Sequence, residues 1–204
     1  MNQDPIRYGI LGGSFNPPHY GHLALAETAR VQLQLTRVLF VPAGQPPHKS
    51  DHELTTSEDR VAMVRAAIAD NEHFILSCVD VDRPGPHYTV DMITRLHAAY
   101  AHVTGWVFLM GEDSLHDLPD WRDPEGILAH VDLAVMPRIS KRVDMEELAA
   151  QLPALEEHLT WLDIPPVNYA ATDLRRRVKK GLPLRYFVPP AVEEIIKQRE
   201  LYKT

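Results

Sequence analysis

Two periods alternate along the chain. Continuously apolar runs recur at residues 6–12 (IRYGILG), 37–43 (RVLFVPA), 73–81 (HFILSCVDV), 105–111 (GWVFLMG) and 131–138 (VDLAVMPR). Short runs without polar alternation predict strands covered on both faces, as in a parallel sheet. Between them, apolar residues fall at roughly helical spacing among good helix formers. Residues 21–35 carry Leu23, Ala26, Ala29, Val31 and Leu33, and 60–69 (RVAMVRAAIA) follows a capping-box pattern at Thr56–Asp59. Residues 89–101 read as a third helix, and SLHDL (114–118) and EGILAH (125–130) as short ones. The segment from residue 6 to 43 is a strand–helix–strand unit long enough for a right-handed crossover. Strands alternating with helices predict an α/β fold with a mostly parallel sheet. The tail breaks the alternation. ATDLRRRVKKG (171–181) and PPAVEEIIKQREL (189–201) read as two helices divided by Gly181, Pro183 and the Pro189–Pro190 pair. They predict a small C-terminal helical subdomain, 167–204, after an α/β core at 1–166, within one domain.

Composition narrows the function classes. With 204 residues, 45% of them hydrophobic, the chain suits a single core. No basic stretch leads into an apolar segment, and no run approaches the ~20 apolar residues of a membrane span, so a cytoplasmic protein without membrane partners is expected. Cys78 is the sole cysteine, which excludes an internal disulfide and a cysteine-built metal site; it reads as a buried strand residue. A net charge of −7 argues against nucleic-acid partners, whose backbones need a basic surface. A small anionic substrate remains compatible, because a local basic pocket can outweigh the global sign.

The chemistry concentrates at the end of the first strand, in LGGSFNPPHYGH (11–22). Ligands of open parallel sheets sit beyond the carboxyl ends of strands. There Gly12 and Gly13 allow backbone amides to approach a phosphate, and the following helix adds its free N–H groups and partial positive charge. His19 and His22, at i and i+3, share a helix face and could donate to charge on a phosphoryl group. Alone, such a pair reads more readily as an ordinary helix start. Neither a Walker pattern nor G-x-G-x-x-G occurs, so P-loop and dinucleotide-fingerprint binding are unsupported.

GGSFNPPHYGH (12–22) resembles the G-x-F-x-P-x-[HT]-x-G-H signature of the nucleotidyltransferase superfamily. Further stretches resemble, in order, those of bacterial nicotinate-nucleotide adenylyltransferases: VPAGQPPHKS (41–50), GPHYTVDMITRL (85–96), MGEDSLHDLPDW (110–121), YAATDLRRRV (169–178) and YFVPPAVEEIIKQRELY (186–202). The resemblance implies a Rossmann-like, doubly wound sheet. It also implies AMP transfer from ATP to nicotinic acid mononucleotide, giving deamido-NAD and pyrophosphate with Mg²⁺. His19 and His22 become the catalytic pair. ATP would be bound by Gly12, Gly13, Ser14, Phe15, His19, His22, Gly111, Asp113, Thr172, Arg175 and Arg138, with Asp113 a weak metal contact. The mononucleotide would be bound by His48, Lys49, Thr89 and Trp121, the last stacking on the pyridine ring. A homo-oligomer is compatible with the resemblance.

Each of these residues also has a structural alternative: loop exposure for Lys49, helix capping for Thr89 and Asp113, core or rim packing for Trp121, a solvated basic face for Arg175. Four departures from the family pattern stand out. Tyr169 and Ala170 replace the usual Ile and Ser, removing one hydroxyl. Ser14 and Asn16 stand where Thr and Asp are common. His87 replaces a serine. VMPRIS (135–140) lacks the usual R-P-G continuation, which weakens Arg138. The competing readings are a related enzyme using nicotinamide mononucleotide, phosphopantetheine or a cytidylyl acceptor, and a catalytically silent nucleotide-binding regulator.

Overall fold

The computed structural model describes residues 5–44, 54–138, 142–165 and 169–203. Six parallel strands form one sheet: β1 (Arg7–Gly13), β2 (Arg37–Pro42), β3 (Phe74–Leu76), β4 (Gly105–Gly111), β5 (Asp132–Met136) and β6 (Leu159–Trp161), in the order β3-β2-β1-β4-β5-β6. The order reverses between β1 and β4. Such a reversal splays the connections at the carboxyl ends and opens a crevice there.

The apolar runs are explained by burial on both faces. Along β1, β2, β4 and β5 successive side chains alternate between two cores. Leu11, Val38, Phe40, Val107, Leu109 and Ala134 enter one; Ile10, Leu39, Val41, Phe108, Met110 and Leu133 enter the other. The first core is closed by α1 (Tyr20–Gln32), α2 (Ser57–Ala67), α8 (Ala171–Lys179) and α9 (Pro190–Gln198), through Ala26, Met63, Leu174 and Val192. The second is closed by α3 (Thr89–Ala99), the short α4 (Glu112–His116) and α5 (Pro124–Leu128), and α6 (Met145–Gln151) with α7 (Leu155–His158), through Ile93, Leu115, Ile127, Leu148 and Leu155. Among the described residues, no helix is long and apolar enough to cross a membrane.

Several sequence expectations need correction. The run at 73–81 is a strand only over Phe74–Leu76. Beyond it the chain turns, with Asp82 N–H donating to Cys78 O (3.0 Å), so Cys78 lies outside the strand and is only partly buried. Burial nevertheless raises its thiol pKa. The Thr56 cap is borne out: its Oγ1 accepts the Asp59 N–H at 3.1 Å. Thr89, by contrast, is the first helical residue and Tyr88 the cap. The edge strand β6 and helices α6 and α7 have no counterpart in the sequence reading. β6 is three residues long with Thr160 and Trp161 exposed, and so shows no apolar run.

Candidate active site

β1 ends at Gly12–Gly13 beside the switch point, and the chain passes through Phe15, in a left-handed conformation (φ 48°), before α1 begins. Phe15 is buried and packs edge-on against His22, with centroids 5.0 Å apart. His19 is the N-cap of α1, in extended conformation, and His22 is its third helical residue. Their rings stack at 3.7 Å and 20°. His22 Nδ1 accepts the backbone N–H of His19 at 3.1 Å, the N3-to-cap half of a capping box. A nitrogen that accepts cannot carry the proton, so the neutral ring holds its proton on Nε2 and keeps that N–H for a ligand.

Gly21 makes the stack feasible. A Cβ there would stand 3.0 Å from His19 Nδ1 and 3.1 Å from its Cε1, tight enough to displace the ring. The glycine of H-x-G-H thus clears space for the first histidine. His19 Nδ1 is buried and has no hydrogen-bond partner.

Both rings are held neutral. Burial, assisted by the Arg138 charge, lowers the His19 pKa to about 4. Burial, then His19 and Arg138, lowers that of His22 well below the usual imidazole value. Near pH 7 the pair therefore presents N–H dipoles and no imidazolium charge.

The opposite wall starts where β4 ends. A Cβ at Gly111 would lie 2.4 Å from Asp113 Oδ1 and 3.2 Å from Arg138 Nε, so any side chain there would displace the ends of these two side chains where they meet. Arg138 Nε donates to Asp113 Oδ1 at 3.3 Å. Glu112 faces away and is buried. It accepts the backbone N–H groups of Arg138 (2.7 Å) and Val143 (3.0 Å), fixing both ends of the loop after β5.

The third wall is the start of α8. Its N-cap, Ala170, supplies no side-chain hydrogen bond, as the missing hydroxyl led one to expect. Arg175 Nη2 donates to Thr172 Oγ1 at 3.2 Å, and Nη1 donates to the backbone oxygen of Asn16 at 3.0 Å, tying this helix to the loop before the histidines. Tyr169 packs edge-on near His19 at 6.2 Å.

These walls enclose a cavity of about 510 Å³ lined by Gly12, Gly13, Ser14, Phe15, His19, His22, Gly111, Asp113, Arg138, Thr172 and Arg175. All eleven residues expected to bind ATP come together there. A second cavity of about 310 Å³ adjoins it, lined by Thr89 and Trp121 together with Asp80, His87, Tyr88 and Arg122. Gly12, Gly13, Ser14, Phe108, Ser114 and Trp121 line both. Trp121 stands perpendicular to Phe108, with centroids 6.1 Å apart. His48 and Lys49 lie outside the described residues.

Sequence reasoning missed Arg60. It is 2% exposed, yet its guanidinium donates to four backbone carbonyls: Ser14 (3.0 Å), Ala43 (2.6 Å), Gly44 (2.8 Å) and Thr55 (3.4 Å). One side chain thereby joins the ends of β1 and β2 to the start of α2. A signal for it was present, because Arg60, Met63, Val64 and Ala67 form a single helical stripe in which Arg60 is the charged member. Asp80 was also missed. It accepts from Gly44 N–H (3.0 Å) and from Arg83 Nε (3.1 Å) and Nη2 (2.9 Å), and lies 3.4 Å from His87 Nδ1.

Comparison with known proteins follows the same lines. The cytidylyltransferase-like family model matches residues 10–177. The probable nicotinate-nucleotide adenylyltransferase of Thermomicrobium roseum is 48% identical over 97% of this chain and 92% of that protein. The probable nicotinate-nucleotide adenylyltransferase of Roseiflexus is 43% identical over 100% of both chains. Among solved structures, Plasmodium falciparum nicotinic acid mononucleotide adenylyltransferase complexed with NaAD shares the fold, with a TM-score of 0.78 at 18% identity over 97% of each chain.

Proposed function

The chain belongs to the nicotinate-nucleotide adenylyltransferase family, and from that premise we propose that it transfers AMP from ATP to nicotinic acid mononucleotide, giving deamido-NAD and pyrophosphate. The observation carrying this reading is the histidine pair at a parallel-sheet switch point, in the larger of two cavities that share walls. One cavity suits a nucleoside triphosphate and the other a small aromatic nucleotide.

An oxygen of the mononucleotide phosphate attacks the α-phosphorus of ATP in line. A P–O bond forms, the bond from the α-phosphorus to the bridging oxygen breaks, and pyrophosphate leaves with the electron pair. The attacking phosphate is already ionised near neutral pH, so no general base is needed. Catalysis is positioning and charge stabilisation. His22 donates its Nε2–H, and His19 its available ring N–H, to the transferring phosphoryl oxygens. Arg175, Thr172 and the free N–H groups at the start of α8 receive the β- and γ-phosphates. Gly12, Gly13 and Ser14 bring backbone to the nucleotide, and Arg138 and Asp113 close its far side. In the smaller cavity Trp121 stacks on the pyridine ring, and Thr89, at the start of α3, faces its carboxylate.

The residues fit a magnesium ion carried by the phosphates. Among the described residues no three His, Cys, Asp or Glu gather as a metal cage, and Asp113 is the carboxylate lining the larger cavity that would contact the ion. Bound there, Mg²⁺ supplies neutralisation of the leaving-group charge.

Pyrophosphate release from ATP and Mg²⁺ tests the reading, with nicotinic acid mononucleotide or its amide as acceptor. Turnover with strong preference for the acid is expected. Preference for the amide would change the acceptor, and no turnover with either would overturn the enzymatic reading.

A further inference from the structure

The loop that delivers the histidines is anchored by the far end of the chain. Asn16 lies three residues before His19 and is 2% exposed. Its Oδ1 accepts from Tyr202 Oη (2.8 Å) and Thr55 Oγ1 (2.9 Å), and its backbone oxygen accepts from Arg175 Nη1 (3.0 Å). One small residue therefore joins the histidine loop, the start of α2, the phosphate-facing helix α8 and the C-terminal tail.

The tail is shaped for this contact. After α9 the chain turns back through left-handed Glu200 (φ 55°) and Tyr202 (φ 65°), bringing the phenol ring to Met63, whose Sδ lies 3.9 Å from its oxygen. Burial raises the phenol pKa, so the hydroxyl stays protonated and donates. A second tie holds the tail without Tyr202: Arg199 Nη1 pairs with Asp59 Oδ1 at 2.6 Å, while Ile195 and Leu201 pack on the first core. Removing the hydroxyl should therefore take away the tail's hold on Asn16 without releasing the tail.

We propose that Tyr202 is a positioning residue for the transfer reaction: through Asn16 its hydroxyl sets the loop carrying His19 and keeps Arg175 opposite the histidine pair. Its contribution is geometric, since it touches neither cavity. This rests on the reading of the histidines as charge-stabilising donors, and small displacements of such donors are expensive in rate.

The test is Tyr202→Phe in the full chain. The expected result is a fall in kcat of about tenfold, with the KM for ATP within about twofold and the melting temperature near wild type. Asn16→Ala should lower kcat at least as much, because it also removes the Thr55 contact, and adding Tyr202→Phe to it should cause no further fall, because the tyrosine acts through Asn16. Ile195→Val is the stability control: it trims the same tail, and should lose melting temperature while keeping kcat. Imidazole resonances of His19 and His22 give a readout independent of turnover, and should move in Tyr202→Phe but not in Ile195→Val. Unchanged kcat in an active enzyme, or unmoved resonances, would overturn the proposal. If the wild-type chain turned over neither acceptor, the functional reading would fail, and the resonances would still decide whether the tail positions the loop.

Discussion

Replacing His22 with alanine tests the proposed chemistry most directly. The imidazole is partly buried, stacked on His19 at 3.7 Å, and its Nδ1 is committed to the His19 backbone N–H at 3.1 Å, which leaves the Nε2–H for the proposed contact with the reacting phosphoryl group. Loss of one preorganised donor to developing charge lowers turnover by roughly two to three powers of ten, about 3–4 kcal/mol of transition-state stabilisation. The same substitution removes a capping bond, which costs about 1 kcal/mol, so the melting temperature should fall by roughly 2–4 °C. The two effects are separable: kcat from pyrophosphate release at saturating substrates, stability from thermal unfolding. KM for ATP should change little if the contact strengthens mainly in the transition state. Turnover within about threefold of wild type, at a lowered melting temperature, would refute the donor role and leave His22 a capping residue.

Further expectations follow from the surrounding geometry. Because burial lowers the His19 pKa to about 4 from an unfolded value near 6.5, the unfolded chain binds the extra proton. The His19 contribution to stability is therefore greatest above pH 6.5, is lost as pH drops from about 6.5 to about 4, and levels off below that, at about 3 kcal/mol from His19 alone. Denaturant unfolding across that range should show the loss, and His19→Asn should reduce it, leaving the part that comes from His22. Ala170→Ser restores a cap to α8 and should raise the melting temperature by roughly 2–4 °C; no rise in thermal unfolding would count against capping. Gly21→Ala places a Cβ 3.0 Å from His19 Nδ1 and should lower kcat more than it lowers stability, read from parallel kinetics and melting. Arg60→Met leaves carbonyls of three segments without their donor and should cost about 3 kcal/mol or more in denaturant unfolding.

The parts legible in the sequence were those with strong local signals. Runs such as WVFLM read as strands because both sheet faces are covered, and the Thr56 cap showed in its spacing to Asp59. The motif at 11–22 was locally ambiguous, since stacking of His19 on His22 depends on the room left at Gly21 and on the enclosing walls. Other features depend on distant pairing. Arg60 is satisfied by carbonyls on three separate segments, and Asn16 joins Tyr202 across 186 residues. β6 is defined only by its register on β5, with Leu133 opposite Leu159, and three residues at a sheet edge carry too little periodicity to be read alone.

The two cavities share Gly12, Gly13, Ser14, Phe108, Ser114 and Trp121 as common walls. Occupants of such adjoining spaces are expected to be energetically coupled. Whatever ordering the first ligand imposes on Trp121 or Ser14 is already in place for the second, and the coupling free energy is the same whichever enters first. Synergism measured from one side therefore fixes the synergism from the other. A substitution at Trp121, though aimed at the acceptor, should change the apparent affinity for ATP by way of that shared partition.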